Sequence, residues 1–340
     1  FEAIHVEDDF EQLAGDDELL AAERRVPTQF FVDASQSIIA KNDSPDVFFD
    51  YSVNAYRGCE HGCAYCYARP GHEYLGFNAG LDFETRIMVK LDAPKLLRAE
   101  LCRSSWKGEL IVMSGVTDCY QPAERRFGLT RGLLEVMLEA RQATGIITKN
   151  ALVTRDVDLL AQLAAMNLVQ VRLSITTLDQ ELSRKLEPRT SSPAAKLAAV
   201  RTLSAAGIPV GIMIAPVVPG LNDHEIPKIL AAAAEAGARR AGFVLLRLPH
   251  AVKPIFLQWV AEHYPDKRGR VEALIRDTRD GGLYQTEFSV RQRGTGRYAE
   301  QIAQSFAVFA RKHGLDQPLP EYDFSQFRPP RPASGQMNLF

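Results

Sequence analysis

Cys59, Cys63 and Cys66 stand in one short run, Cys59-Glu-His-Gly-Cys63-Ala-Tyr-Cys66-Tyr67, with the spacing C-x3-C-x2-C. Three thiolates on a short loop grip three corners of a cubane [4Fe–4S] cluster. A cluster held only structurally takes four cysteines, so this spacing leaves one iron open to a ligand. A structural zinc site needs four closed ligands; His61 or His72 would complete a Cys3His set, at spacings that match no common finger. The chain has five cysteines, and Cys102 and Cys119 stand alone, so the odd total and the clustering disfavour a disulfide framework. In a reducing compartment, clustered thiols usually hold a metal.

Such a loop needs a scaffold, and the rest of the sequence supplies a repeating one. Short apolar runs at Glu109–Met113, Gly145–Thr148, Leu168–Thr176, Ile208–Val218 and Ala241–Leu248 alternate with helical periodicity at Ala93–Ser104, Leu129–Thr144, Asp156–Asn167, Ala194–Gly207 and His224–Gly237. Gly145, Gly207 and Gly237 are placed as helix C-caps, and Asp156 and Asp223 near helix starts. This alternation predicts parallel βαβ units in an α/β fold. In the run from Val169 to Thr176 the polar residues Gln170, Arg172, Ser174 and Thr176 alternate with apolar ones. A strand of a parallel sheet is normally apolar on both faces, so the polar face asks for a wet or ligand-filled lumen, as in an open barrel. The expected organisation is an N-terminal extension (1–43), a partial barrel (44–265), a small basic C-terminal subdomain (266–318) and a flexible tail (319–340).

The 340 residues carry a net charge of −2 and are 46% hydrophobic, which suits an ordinary globular core and excludes a wholesale polyanion binder while allowing a local basic patch. No stretch approaches the ~18 uninterrupted apolar residues of a membrane span. Phe1 to Arg25 is acidic where a signal peptide is basic and then apolar. A cytoplasmic protein without a membrane partner is expected.

The cysteine run, with Tyr65 at its aromatic position, resembles the radical SAM superfamily, whose C-x3-C-x-aromatic-C motif follows the first strand of a partial (β/α)6 barrel. Arg57–Tyr67, Val116-Thr-Asp-Cys-Tyr-Gln-Pro-Ala-Glu124, Thr148-Lys-Asn150 and Glu187-Pro-Arg189 are similar to the branch that contains spore photoproduct lyase, over roughly Asp50 to Leu248. The resemblance implies an enzyme with a [4Fe–4S] cluster on Cys59, Cys63 and Cys66. Its open iron would bind S-adenosyl-L-methionine, and an electron from a donor such as flavodoxin or ferredoxin would release a 5′-deoxyadenosyl radical. It implies further that Tyr65 and Tyr67 flank the adenosine, that Thr117 and Asp118 meet the methionine amine, and that Lys149 and Ser174 meet the carboxylate and ribose region. Tyr65 and Tyr67 would equally suit packing around a cluster, and Lys149 a solvated loop. Arg189 would pair with a cofactor carboxylate or cap the preceding helix. Spore photoproduct lyases carry a hydrogen-donating cysteine three positions before the residue matching Asp118. Here that position is Gly115, and Cys119 is the nearest thiol for a catalytic donor, or else a small buried residue.

Tyr284, Phe288, Arg291, Arg293, Arg297 and Tyr298 interleave aromatics with guanidinium groups, the combination that stacks bases and tracks phosphates, or else forms a solvated face. With the resemblance, this favours a radical SAM enzyme that repairs or modifies nucleic acid, DNA in particular. An iron–sulfur sensing module, or an enzyme for a peptide or small molecule, remains an alternative. At the end of the chain, Gln336-Met-Asn-Leu-Phe340 resembles the peptide by which bacterial repair proteins dock on the DNA sliding clamp. Met337, Leu339 and Phe340 supply apolar anchors after a Pro-rich linker, and Gln336 sets the register. A labelled peptide of this segment should bind bacterial clamp saturably, and changing both Leu339 and Phe340 to Ala should weaken binding by more than about tenfold. Equal binding by the two peptides removes this link to DNA.

Overall fold

The computed structural model describes residues 1–4 and 27–330; the clamp-like peptide lies outside the described residues. Two sheets form the frame. The small one contains β1 (Ala3–Ile4), β2 (Gln29–Val32), β5 (Tyr56–Arg57) and β6 (Arg86–Val89). The large one contains β3 (Ile39–Lys41), β4 (Tyr51–Val53), β7 (Ile111–Met113), β8 (Thr144–Thr148), β9 (Val169–Ser174), β10 (Val210–Val217) and β11 (Arg240–Leu245). Its order is β11-β10-β9-β8-β7-β4-β3. From β4 to β11 every pairing is parallel, and only β3 runs antiparallel, on the edge of β4. The result is a mixed α/β fold whose six parallel strands follow chain order, a partial (β/α)6 barrel.

Sequence periodicity accounts for this frame. Val169, Val171, Leu173 and Ile175 are buried in the main core with the covering helices. Their polar alternates lie on the other face, in register with Gly145 and Ile147 of β8 and with Gly211 and Met213 of β10. Helix Pro193–Ala205 starts with Ser192 accepting from the Ala195 N–H at 3.2 Å, and helices end at Gly207 (φ 76°) and Gly237 (φ 96°), where glycine takes the left-handed turn without strain. Gly145 does not cap a helix. Leu129–Ala140 ends with Arg141 in the left-handed region, and Gly145 belongs to β8, where a Cβ would come within 3.0 Å of Val112.

Three expected boundaries are corrected. Residues 27–43 of the expected N-terminal extension are not separate: Phe30 and Ile38 are buried in the main core, β2 pairs with β6, and β3 extends the large sheet. The basic C-terminal subdomain is divided. Ala299, Ile302 and Ala310 of helix Gly296–Lys312, together with Leu315, join the main core, and the Ala241 N–H of β11 donates to Leu315 O. Residues 319–330 of the expected tail cross the N-terminal ends of the strands. Gln170 Nε2 donates to Pro320 O at 2.9 Å, Asp323 N to Asn167 O at 3.1 Å, and Arg328 N to Ala140 O at 2.8 Å. Phe327 fills the space beside Gly108, where any Cβ would lie 2.7 Å from it. The helix Gly296–Lys312 carries an ordinary amphipathic period that does not say which core it joins, whereas in residues 319–330 Pro and polar residues mask the apolar anchors.

Arg291 is not free for a phosphate. It pairs with Asp46, and its Nη2 donates to Ser44 Oγ at 2.7 Å, while Ser289 N donates to Asp46. This clasp joins the segment beside β11 to the loop between β3 and β4, the two edges of the open sheet. Arg293 lies over the Phe243 ring at 4.7 Å, and Arg297 is exposed. Among the described residues no helix is long and apolar enough to cross a membrane.

Because helix Gly296–Lys312 belongs to the main core, Ile302→Ala should destabilise the whole molecule, by about 2–5 kcal/mol, the usual cost of truncating a buried aliphatic side chain. Urea unfolding followed by circular dichroism should show a single shifted transition. A minor early transition with the main one unmoved would restore an independent subdomain.

Candidate functional site

The cysteine run forms a loop between β5 and a short turn at Arg69–Leu75. A loop that turns its thiols one way must have its carbonyls satisfied from behind, and Arg69 does much of this. Its guanidinium donates to Cys63 O and Gly62 O, both at 3.0 Å, and to Ala79 O and Gly80 O. Gln121 adds a bridge, donating from Nε2 to Gly58 O at 3.2 Å and accepting from Glu60 N at 2.9 Å. Arg189 donates to Glu60 O and to Glu84. Gly62 sits at φ +66°, the left-handed region that favours glycine, and a Cβ there would push aside the ends of Glu84 and Arg189. Arg189 is thus turned to the cysteine loop, which it fastens to Glu84, and not to the end of the preceding helix.

Cys59 and Cys63 are buried, Cys66 partly so, and none is in a disulfide. Burial, with the nearby Glu187 charge, pushes the Cys63 thiol up to about 12, and burial likewise raises Cys59 and Cys66. Thiolates here call for positive metal beside them. Neither expected histidine offers a fourth ligand for a lone zinc. His72 Nε2 lies 3.0 Å from Arg86 O, and the ring stacks on Phe77. The His61 ring lies between Asp118 and Asn150, and burial, against the pull of Asp118, lowers its pKa to about 4, so it is a neutral imidazole at pH 7. Among the described residues no three His, Cys, Asp or Glu side chains gather around one ion. Three unpaired thiols on one loop, without a fourth, fit an iron–sulfur cluster with an open corner.

Beside the thiols lies a buried polar network centred on Glu187. Its carboxylate accepts from the Tyr65 hydroxyl, from Thr176 Oγ1 at 2.6 Å and from Lys196 Nζ at 2.8 Å. Lys149 Nζ stands 3.5 Å from the same carboxylate, donates to Ala215 O at 2.9 Å and lies over the Tyr65 ring at 5.5 Å. Burial alone would raise the Glu187 pKa, but the charges of Lys196 and Lys149 hold it well below the carboxylate range. Burial opposes the charge on Lys149 as well, yet Glu187 keeps that ammonium protonated. Lys149 is thus a held, partly exposed cation at the C-terminal end of β8, not a solvated loop residue.

The other expected residues fall into two groups. Tyr65, Tyr67 and Lys149 meet around the thiols, and Ser174 is buried in the lumen, in register with Met213. Tyr67 is 48% exposed, and its hydroxyl donates to Gly115 O at 2.9 Å. Asp118 and Thr117 are spent on the scaffold. Asp118 accepts from Thr148 Oγ1 and Lys149 N, both at 2.7 Å, and the Thr117 hydroxyl donates to Tyr56 O. Cys119 does not join the site. It is buried in the main core, where Thr130 Oγ1 donates to its carbonyl, and burial raises its thiol pKa far above the usual value. The structure places it among the packing residues of the core. Cys102 Sγ is turned to Pro330 O. The sequence marks Glu187-Pro-Arg189 and assigns its work to the arginine; the structure gives the central place to the glutamate. Arg69, directly after the run, carries no periodic signal at all.

Residues 53–233 match the model of the Radical SAM superfamily. The chain belongs to that superfamily. An uncharacterised protein of Mycobacterium tuberculosis is 39% identical over 230 residues, 67% of this chain and 68% of the relative. One from Methanocaldococcus jannaschii is 33% identical over 175 residues, 52% of this chain and 63% of the relative. Among solved structures, a spore photoproduct lyase variant superposes with a TM-score of 0.57 at 18% identity, covering 84% of this chain and 79% of that one, a likeness of fold. The protein is accordingly a radical SAM enzyme.

The Glu187 network carries a pH signature. Glu187→Gln leaves Lys196 buried without its counter-charge and should cost about 3–5 kcal/mol at neutral pH. Because the folded pKa of Glu187 is depressed, its stabilisation is present above the unfolded value of about 4.3 and is lost as pH falls through the folded value. The gap between wild type and variant, read by urea unfolding across pH, should therefore narrow below about pH 4. A gap that is constant with pH would show that the carboxylate is not ionised in the folded protein.

Proposed function

We propose that this enzyme holds a [4Fe–4S] cluster on Cys59, Cys63 and Cys66, binds S-adenosyl-L-methionine beside it, and acts on nucleic acid, with DNA the favoured substrate. The observation that carries the proposal is the set of three unpaired thiols on a loop braced from behind by Arg69, next to a charged Lys149 at the mouth of the barrel. When bound, the cofactor pair supplies reductive cleavage of the sulfonium and a radical able to abstract hydrogen from the substrate.

The chain's own groups position and shield that chemistry. Lys149, partly exposed and held by Glu187 and Ala215 O, presents an ammonium for the cofactor carboxylate. Tyr65, fixed through its hydroxyl, and the half-exposed Tyr67 offer ring faces on either side of Cys66. Ser174 lines the lumen below, and Asp118 and Thr117 act by fixing the ends of β5 and β8. The parallel barrel and its covering helices keep water from all but the open end. Support for DNA comes from solved spore photoproduct lyase structures, one with a dinucleoside spore photoproduct and another with AdoMet as well. Because Gly115 stands where that branch has its donor cysteine, and Cys119 is in the core, the reaction would differ from spore photoproduct repair in its final hydrogen transfer. A flavodoxin or ferredoxin would supply the electron, and the terminal peptide would tether the enzyme to the sliding clamp, raising its effective concentration at DNA.

The test is anaerobic reconstitution of the full chain with iron and sulfide, followed by reduction with S-adenosyl-L-methionine present. The protein should turn brown and release 5′-deoxyadenosine, and Ala at any of the three cysteines should abolish both. Lys149→Ala should keep the colour but weaken cofactor binding roughly ten- to a hundredfold, the loss expected for one charge-assisted contact. A colourless protein carrying stoichiometric zinc would sink the proposal. For the substrate, nucleic acid captured by the anaerobic protein and digested to nucleosides should contain a product dependent on cofactor and reductant.

A further inference from the structure

Among the described residues, no carboxylate pairs with either of two arginines at the mouth of the barrel. Arg247 follows β11, its Nε is buried with no partner, and its guanidinium lies over the Tyr67 ring at 5.3 Å. Arg279 is 2% exposed, and its Nε also has no partner. Its other nitrogens donate only to carbonyls, Leu246 O at 2.7 Å and Val290 O at 3.1 Å. The two charges also repel each other: burial first, and then Arg247, lowers the Arg279 pKa to about 10, which leaves it protonated at neutral pH. Asp46 is the carboxylate whose charge reaches Arg247, and it is already engaged by Arg291 and Ser289 N.

Buried arginines ordinarily stand beside carboxylates, because withdrawing an unpaired charge from water is costly, and an unpartnered buried donor in a native protein calls for an explanation. We propose that Arg247 and Arg279 form a phosphate subsite that receives a phosphate of the substrate next to Tyr67. The proposal rests on the nucleic-acid reading above. A planar guanidinium matches two phosphate oxygens in a way that a lysine cannot. The location suits a substrate contact. Tyr67 adjoins Cys66, its hydroxyl holds Gly115 O at the end of β7, and its half-exposed ring beneath Arg247 leaves an aromatic surface where a base can stack while its phosphate meets the arginines. The site is separate from Lys149, whose ammonium is engaged on the Glu187 side of the loop.

The experiment uses the full chain and a fluorescein-labelled oligothymidylate, with its methylphosphonate analogue as an uncharged control. Thymidine monophosphate and thymidine serve as competitors. Arg247→Gln should weaken oligonucleotide binding by about tenfold or more and reduce the slope of log affinity against log salt by roughly 0.7, the effect of one phosphate on a single strand. Arg247→Lys should recover the slope but not the full affinity. Arg201→Gln, on an exposed helix surface, controls for net charge and should change neither. Arg279→Lys should act like Arg247→Lys if its thermal midpoint is unchanged; the Arg247 variants carry the test if it unfolds. Binding of S-adenosyl-L-methionine should be the same in wild type and Arg247→Gln, and its loss in the variant would overturn the proposal by giving the arginine to the cofactor. Equal oligonucleotide affinity and slope in wild type and Arg247→Gln would overturn the subsite while leaving the nucleic-acid reading standing. Binding of thymidine monophosphate, lost in Arg247→Gln, without oligonucleotide binding by wild type would keep the subsite, assign it to a free nucleotide and remove the nucleic-acid reading. No binding of either phosphate ligand by wild type would remove both.

Discussion

Glu187 is a carboxylate withdrawn from water where four parts of the chain meet: the cysteine loop through Tyr65, the end of β9 through Thr176, the end of β8 through Lys149, and helix Pro193–Ala205 through Lys196. A lone buried carboxylate would take up a proton; two lysines and two hydroxyls keep this one ionised. The same charge keeps Lys149 protonated in a place where burial would otherwise neutralise it. The orientation of Tyr65 and the charge of Lys149 are thus set together, by one residue that touches neither thiol nor solvent.

Around this centre the protein separates holding from acting. Arg69, Gln121 and Arg189 saturate the rear of the cysteine loop, and Asp118 and Thr117 lock the adjoining strand ends. Among the described residues, those left at the mouth include the thiols, Lys149, Tyr67, Arg247 and Arg279. A scaffold that satisfies its own backbone can afford a short list of uncommitted groups, and those are where ligand chemistry has room to occur.

The parallel strands and their helices were legible because each βαβ unit repeats its own periodicity, and the cysteines because their spacing is a local property. The alternating Gln170, Arg172 and Ser174 do lie on the face of β9 away from the main core, where Gln170 meets Pro320 O and Arg172 the Phe48 ring. What escaped the sequence depends on partners far along the chain. Arg291 reads as a nucleic-acid contact until Asp46 is placed beside it, and Arg189 as a helix cap until Glu60 and Glu84 are. Residues 319–330 read as a linker because prolines interrupt every period, although Tyr322 and Phe327 pack against the core across the strand ends. A charged or aromatic side chain announces its type in the sequence; only the fold decides whether it is already spent.

The clasp between Arg291 and the loop at Ser44 and Asp46 bridges positions separated by up to 247 residues. In the large sheet each strand from β7 to β11 pairs with the strand of that sheet made before it, so the sheet can grow in the order in which the chain is made. The clasp cannot form until Arg291 has been made, after all six parallel strands. During synthesis the cysteine loop therefore belongs to a half-pipe with an unsealed flank until the segment after β11 closes on the loop at Asp46. Assembly has a built-in interval in which the interior is still reachable from the side.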